Sequence, residues 1–230
     1  MTGSSIASNL RMRAFLLAGG RSTRMGQDKA LLRIHGQPLA AQMLAKLRAL
    51  GLEATLCGNR EDLASFAPVI PDLGVSCGPL GGIDAALQAT DTDLNLVLAV
   101  DLPALPVAFL RWMIARAART GAAATIPYAQ GRPQPLCAVY HRELAPELRQ
   151  CIEEGEFRIM AAVHRGSSRI DRFMVEQIAA AEAFDIVPDM PPVHTWFRNL
   201  NTPEEVARYA ASHSSNKLAS NKLERDETAD

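Results

Sequence analysis

The chain has 230 residues, of which 48% are hydrophobic and 21% are charged, and its formal net charge is -1 at pH 7. This length permits one α/β domain with a sizeable core, and the near-zero charge argues against a broad nucleic-acid-binding surface. The four cysteines show neither CxxC nor Cys/His spacing, so neither a zinc site nor a disulfide framework is indicated.

The N-terminal residues are polar up to a short apolar run at residues 14–17. We expect residues 1–12 to be a disordered extension and residues 14–17 to be a buried first strand. The apolar run is too short for a signal peptide or a membrane span. The sequence therefore predicts a cytoplasmic protein without a membrane partner.

A glycine-rich stretch with basic residues follows the first strand and reads Leu17-Ala18-Gly19-Gly20-Arg21-Ser22-Thr23-Arg24-Met25-Gly26-Gln27-Asp28-Lys29. Glycines let the backbone turn tightly and bring its N–H groups close to an anion. The stretch has neither the Gly-Lys-Ser/Thr of a Walker loop nor a GxGxxG fingerprint. It predicts a triphosphate-binding loop of another kind, in which Arg24 and Lys29 hold the β- and γ-phosphates.

Strands and helices alternate along the rest of the chain. Hydrophobic patterning and Pro and Gly positions predict strands at residues 53–57, 69–70, 94–100, 122–126 and 136–140, and helices after residues 38, 79 and 106 and at residues 145–154 and 156–160. This alternation predicts an α/β fold with a doubly wound, mostly parallel sheet and helices on both faces. The strand at residues 94–100 is apolar on both faces and is predicted to lie mid-sheet.

Polar residues follow several of the predicted strands, where ligands of open parallel sheets bind. Asn59 lies in a turn after the second strand, and Asp72 follows the third. Asp101 comes directly after the mid-sheet strand. We expect the Asp101 carboxylate to point into the crevice beside the glycine-rich stretch, with helix capping as the alternative role.

The last part of the chain is less regular. Residues 197–205 are predicted to be a strand end that leads into a helix, with Thr202 and Glu205 as a capping box and Pro203 at the first helical position. Residues 212–230 are rich in Ser, Asn, Lys and Glu and are predicted to be a disordered tail. Residues 13–211 then form a single domain.

Four separated motifs give the chain a resemblance to the molybdenum cofactor guanylyltransferase family. They are the pattern LAGG-x-S-x-R-M-G-x-D-K in the glycine-rich stretch, Gly78-Pro79-Leu80-Gly81-Gly82, Asp101-Leu102-Pro103 and Asn199-Leu200-Asn201-Thr202-Pro203-Glu204. The resemblance covers roughly residues 13–208 and implies a Rossmann-like nucleotidyltransferase fold. It implies a Mg²⁺-dependent enzyme that transfers GMP from GTP to the terminal phosphate of Mo-molybdopterin, with molybdoenzyme-maturation proteins as further partners.

The resemblance also implies roles for individual residues. The expected nucleotide contacts are Leu17, Ala18, Gly19, Gly20, Lys29, Asn59, Asp72 and Asp101. Asp101 would hold Mg²⁺, for which one carboxylate plus phosphate oxygens is sufficient, and Arg24, Lys29 and Asp101 would form the catalytic set. Apart from the resemblance, an anionic acceptor needs donors that GTP does not occupy, and it is expected to meet Arg158, Asn199 and Asn201, with helix capping as an equal alternative for Asn201.

Two other interpretations stay open. One is a related transferase that uses CTP or another phosphorylated acceptor; the cytidylyl relatives usually carry Leu-Ala-Ala-Gly where this chain has Gly19, which favours GTP. The other is a catalytically silent nucleotide-binding module. The combination of Arg24, Lys29 and Asp101 argues against the silent module, because binding alone does not need all three.

Overall fold

A computed structural model of the chain describes residues 11–19, 28–72, 77–187, 190–202 and 204–211, and a central sheet of eight strands organises it. The strands are β1 (Met12–Leu17), β2 (Arg33–Ile34), β3 (Gln37–Pro38), β4 (Ala54–Cys57), β5 (Val69–Ile70), β6 (Leu94–Ala99), β7 (Ala124–Ala129), β8 (Arg132–Pro133), β9 (Cys137–His141) and β10 (Ile170–Met174). The helices are α1 (Leu39–Ala49), α2 (Gly78–Ala89), α3 (Val107–Thr120), α4 (Ala145–Glu153), α5 (Ile159–Gly166) and α6 (Val175–Ala180). Residues 204–211 are also helical, and β2 and β3 form a separate small hairpin.

The sheet is mostly parallel, as predicted, and one strand in its middle is reversed. Its order is β10-β7-β9-β6-β1-β4-β5, with β8 paired to β7. β1 pairs in parallel with both β4 and β6, whereas β9 is antiparallel to β6 and β7. The reversal follows from chain length, because the short connection that turns at Gln130 and Gly131 can join only antiparallel strands, and a parallel pair needs a long crossover.

Helices cover both faces of the sheet. One core packs α1 and α3 against Leu94, Leu96 and Leu98 of β6, and the other packs α2, α4 and α5 against Val97 of the same strand. Every residue of β6 is buried, which confirms its predicted place in the middle of the sheet. The doubly wound architecture predicted from the sequence is therefore the observed one.

Two elements near the acceptor candidates differ from the prediction. The helix predicted at residues 156–160 begins at Ile159, and Arg158 is its extended N-cap residue, with its N–H bonded to the Glu156 side chain at 2.9 Å. Residues 197–201 do not form a strand; Leu200 N–H donates to the Asp101 carbonyl oxygen at 3.2 Å. The strand β10 and the helix α6 lie in a region without predicted elements.

The ends of the chain are described only in part. Met12, which was predicted to lie in the N-terminal extension, is the first residue of β1; residues 1–10 and the predicted tail at residues 212–230 lie outside the described residues. The predicted capping box is confirmed, since Glu205 N–H bonds the Thr202 hydroxyl at 3.2 Å and Thr202 N–H bonds the Glu205 carboxylate at 3.1 Å. Within the described ranges, no helix has the length and apolar character that crossing a membrane requires.

A partly buried lysine connects α1 to the segment that follows β6. Lys46 Nζ donates hydrogen bonds to the carbonyl oxygens of Pro103 and, at 2.8 Å, Leu105. The Tyr209 hydroxyl donates to the same Pro103 oxygen at 3.0 Å. Burial lowers the pKa of Lys46 to about 8, because desolvation disfavours the charged ammonium. The segment that starts at Asp101 is thus held from two sides.

We expect protein stability to depend on the ionisation of Lys46. Unfolding returns its pKa to 10.5, so between pH 8 and pH 10.5 the unfolded chain binds a proton that the folded chain lacks. The free energy of unfolding should therefore rise with pH across this window, by at most about 1.4 kcal/mol per pH unit from this group. Urea unfolding should show the parent gaining stability over Lys46→Met as the pH rises. A difference that is constant with pH would contradict the lowered pKa.

Candidate active site

The carboxyl ends of four parallel strands meet at one edge of the sheet around a cavity of about 520 Å³. β1 ends at Leu17 and β4 at Cys57, while Asp72 and Asp101 follow β5 and β6, and all four residues line the cavity. The strand order reverses at β1, which has β4 on one side and β6 on the other. Such a switch point is where open α/β sheets bind their ligands.

Two glycines let the loops after β1 and β4 touch. Gly58 has φ +135°, and a Cβ built there would lie 2.8 Å from both Cα and N of Gly19. A Cβ on Gly19 would lie 3.3 Å from Asp72 Oδ2, so the Asp72 carboxylate lies directly beside the glycine. Burial raises the pKa of Asp72, because the charged carboxylate is partly removed from water. The backbone approach at Gly19 and Gly58 therefore shapes the cavity floor.

A lysine joins two of the predicted motifs at the cavity. Lys29 Nζ donates to Asp101 Oδ2 at 2.9 Å and to Asn201 Oδ1 at 2.5 Å. Both partners of the ion pair are largely buried, with side-chain exposures of 21% for Lys29 and 14% for Asp101. The backbone bond from Leu200 to Asp101 holds residues 196–202, the late segment, beside the cavity. Residues that are 72 and 172 positions from Lys29 thus meet its ammonium group.

The remaining predicted site residues are placed differently. Gly20 and Arg24 lie outside the described residues. Asn59 and Asn199 are exposed, and neither is among the residues that line the cavity. Arg158 is also exposed and pairs with Glu156 at 2.5 Å, and its hydrogen bonds lower the pKa of the Glu156 carboxyl to about 2. The structure brings together the other candidates, namely Leu17, Ala18, Gly19, Lys29, Asp72, Asp101 and Asn201.

Arg60 contacts the cavity wall and was missed from the sequence. It follows Asn59 in the turn after β4, and its guanidinium bonds the Ala18 carbonyl oxygen and the Asp28 carboxylate. Its side-chain hydrogen bond with Asp62 and the charge of Asp28 raise the pKa of Arg60. The sequence feature that could have indicated a role is its position in a turn at the carboxyl end of a parallel strand. This position indicates the turn and does not single out the Arg60 side chain.

The acidic residues at the cavity fit a magnesium ion that a substrate helps to bind. Within the described ranges, no group of three or more His, Cys, Asp and Glu side chains forms a ready-made metal site. The carboxylates of Asp28, Asp72 and Asp101 line the cavity. Mg²⁺ prefers one or two carboxylates and completes its octahedral shell with water and phosphate oxygens. The Asp101 carboxylate pairs with the Lys29 ammonium at 2.9 Å, so it faces a positive charge at the cavity.

The model of the MobA-like NTP transferase domain matches residues 14–169 of this sequence. This chain belongs to the MobA-like NTP transferase family. Its molybdenum cofactor guanylyltransferase relative from Xanthomonas euvesicatoria pv. vesicatoria is 48% identical over 102 residues, which are 44% of this chain and 52% of that protein. The molybdenum cofactor guanylyltransferase of Serratia proteamaculans is 30% identical over 201 residues, or 84% of this chain and 91% of that one.

A solved member of the family supports the fold assignment. The crystal structure of the molybdopterin-guanine dinucleotide biosynthesis protein A from Archaeoglobus fulgidus matches with a TM-score of 0.73 and 25% identity, covering 89% of this chain and all of that one. The predicted family and the predicted Rossmann-like nucleotidyltransferase fold are confirmed, and the chain is a nucleotidyltransferase. The family match ends at residue 169, whereas Asn201 contacts Lys29 from beyond that boundary.

We expect Gly58→Ala to disturb the cavity floor. The added methyl would lie 2.8 Å from backbone atoms of Gly19, which cannot move like a flexible side chain. Gly36→Ala is the matched control, because Gly36 also has a positive φ, +80°, but nothing within 4 Å. Strain at positive φ should cost both variants about 1 kcal/mol, and overpacking should cost Gly58→Ala a further ~1–3 kcal/mol. Urea unfolding and nucleotide titration measure both effects; equal losses in the two variants would contradict the close approach.

Proposed function

We propose that this nucleotidyltransferase is a cytoplasmic, Mg²⁺-dependent molybdenum cofactor guanylyltransferase, which transfers GMP from GTP to the terminal phosphate of Mo-molybdopterin. The observation that carries the proposal is the contact of Lys29 with Asp101 and Asn201 at the edge of the cavity. A cation and a carboxylate side by side are what a triphosphate and its metal ion require. The names of the relatives supply the nucleotide and the acceptor.

The chemistry needs positioning and charge neutralisation more than a protein nucleophile. An oxygen of the acceptor phosphate forms a bond to the α-phosphorus of GTP, and the bond from that phosphorus to the bridging oxygen breaks. Pyrophosphate leaves with the electron pair. Both reactants are anions, so positive charge and in-line alignment lower the barrier. None of these steps requires a covalent intermediate with the chain.

Lys29 has the donors for this task. An ammonium group has three N–H donors, and Asp101 and Asn201 accept two of them. The third can meet a phosphate oxygen without loss of either contact. Asp101 would hold Mg²⁺, which would supply further positive charge to the phosphate oxygens. By its contact, Asn201 keeps the ammonium in the cavity when the Asp101 carboxylate takes up another cation.

Gly19 supports a guanine nucleotide over a cytosine nucleotide. Alanine at this position would bring its Cβ to 3.3 Å from Asp72 Oδ2, which is tighter than an ordinary contact. The neighbouring Leu17 side chain packs against Gly82, where a Cβ would lie only 3.0 Å from Leu17 Cδ2. We propose that the purine lies beside these small residues, with Asp72 and Asn59 as proposed nucleoside contacts. Gly19 is the position at which the Leu-Ala-Ala-Gly pattern of the cytidylyl relatives has alanine.

The three proposed acceptor residues differ in their contacts. Asn201 is supported by its hydrogen bond to Lys29 at the cavity. Asn199 lies two residues earlier and is exposed. Arg158 would have to leave its pair with Glu156 to bind an anionic pterin. The site therefore favours an acceptor that approaches from the side of the late segment.

The proposed function is tested by product identification. The parent protein is incubated with Mg²⁺, Mo-molybdopterin and each of GTP, ATP, CTP and UTP in turn, and the nucleotide product is identified by mass. We expect a guanine dinucleotide product from GTP and little product from the other three. Equal use of CTP would contradict the guanylyl assignment, and no product from any nucleotide would contradict the enzyme activity.

Asp101→Asn should separate turnover from nucleotide binding. We expect turnover to fall by at least about 10²-fold, because the amide is a poor ligand for Mg²⁺ and charge on the leaving pyrophosphate is no longer balanced. Calorimetry in magnesium-free buffer should show GTP binding at least as tight as in the parent, because a carboxylate has been removed from beside the phosphates. Near-parental turnover at saturating Mg²⁺ would exclude the metal-binding role.

A further inference from the structure

Arg60 joins the two ends of the glycine-rich stretch. Its Nη1 donates to the Ala18 carbonyl oxygen at 3.2 Å and to Asp28 Oδ1 at 3.0 Å, and its Nη2 lies 2.7 Å from Asp28 Oδ2. Ala18 precedes the glycines and Asp28 follows them in the sequence. The guanidinium is largely buried, with 12% of its side chain exposed. One side chain from the turn after β4 thus spans both ends of this stretch.

Asp28, one of the partners of Arg60, precedes the proposed catalytic residue Lys29 in the chain. Asp28 Oδ1 also accepts a hydrogen bond from Ala30 N–H at 2.9 Å. The carboxylate therefore closes a turn around Lys29, the residue between them in the chain, whose ammonium meets Asp101. A planar guanidinium that engages both oxygens of one carboxylate fixes its orientation, which an ammonium cannot do. The position of Lys29 consequently depends on the bidentate contact of Arg60 with Asp28.

The contact of Arg60 with Ala18 fixes the N-terminal end of the glycine-rich stretch. Ala18 N–H donates to the Cys57 carbonyl oxygen at 2.9 Å, so the residue is anchored to the end of β4. Arg60 binds the carbonyl oxygen of the same residue from the turn that follows β4. Ala18 is thereby held through its N–H and its C=O, and both contacts come from one neighbouring strand and its turn.

We propose that Arg60 is a positioning residue for nucleotidyl transfer, which sets the separation of Ala18 and Asp28 and thereby places Lys29 against the nucleotide phosphates. The inference rests on the proposed function, since Lys29 is the group that meets GTP there. Arg60 acts through Asp28 and Lys29 and contacts no substrate itself.

The chain supplies a matched control for the contacts of Arg60. Arg60 also bonds Asp62 through Nε at 2.9 Å and Nη2 at 2.7 Å. The Asp62 side chain is 51% exposed and lies outside the cavity lining. Asp62 is thus the more exposed of the two carboxylates that Arg60 binds. Asp62→Asn therefore removes the negative charge of this partner and leaves the contacts with Ala18 and Asp28 in place.

The test compares Arg60→Met, Arg60→Lys and Asp62→Asn with the parent in the full-length protein. Thermal unfolding is measured first, and kcat and KM are then measured well below each unfolding temperature with the nucleotide that the parent uses. We expect Arg60→Met to lower kcat/KM by about 10²-fold, because several charge-assisted hydrogen bonds are lost. Arg60→Lys should have a kcat/KM only about tenfold higher than Arg60→Met, because lysine restores the charge but not the bidentate contact with Asp28. Asp62→Asn should match the parent.

A double mutant separates positioning from direct contact. In a Lys29→Ala background, Arg60→Met should lower kcat by less than about twofold, because its effect passes through the missing lysine. A full multiplicative loss in the double mutant would show that Arg60 acts on the substrate directly and would overturn the inference. Parental kcat/KM in Arg60→Met or full recovery in Arg60→Lys would also overturn it.

Failure of the proposed function gives results that differ from those expected if only the positioning role of Arg60 fails. If the parent forms product from CTP instead of GTP, the guanylyl assignment fails while the Arg60 comparison proceeds with CTP. If the parent forms product and Arg60→Met loses only thermal stability, the positioning role fails and the proposed function stands. A parent without product from any nucleotide overturns both.

Discussion

The parallel pairing of β1 with both β4 and β6 is the constraint on which the site depends. Leu17 is in register with Cys57 on one side and with Ala99 on the other, so the three strands end level. Crossover connections share one hand, and helices before and after the reversal of strand order therefore lie on opposite faces, as α1 and α2 do. The edge between them stays open. The carboxyl ends of the strands deliver Gly19, Gly58 and Asp101 to that edge.

Among the residues that the structure describes, the acidic side chains at the cavity are mostly paired with basic ones. Asp28 is matched by Arg60 and Asp101 by Lys29, while Asp72 is partly buried and its pKa is raised. These pairs differ in what they permit. The bidentate pair of Arg60 with Asp28 fixes geometry, whereas Lys29 is a point charge on a flexible stem that can exchange one acceptor for another. Within the described part of the chain, the cavity thus has an adaptable cation in Lys29 and a fixed one in Arg60.

Sequence patterns predicted the residues that lie at strand ends and failed where a long-range contact decides the role. Asp101 and Asp72 were predictable, because a carboxylate that follows a parallel strand reaches the open edge. Arg60 was not, because its partners are set by the close approach of two glycine loops. The strand end predicted at residues 197–201 was wrong, because this part of the chain follows a short helical turn and is held by the backbone bond of Leu200 to Asp101. Arg158 was assigned to a helix although its N–H is bonded to Glu156, a local turn that competes with helix formation.

The late segment shows how core packing supports the site. Trp196 is 1% exposed, its ring centroid lies 5.2 Å from that of Phe109 on α3 and 5.8 Å from that of Phe184, and its indole N–H donates to the Pro191 carbonyl oxygen at 2.7 Å. Aromatic packing of this kind buries a large apolar area with a defined orientation. Five residues later in the chain, Asn201 meets Lys29. Because the aromatic cluster lies outside the cavity, the segment that carries Asn201 is anchored independently of any ligand, so its contact with Lys29 is built into the fold.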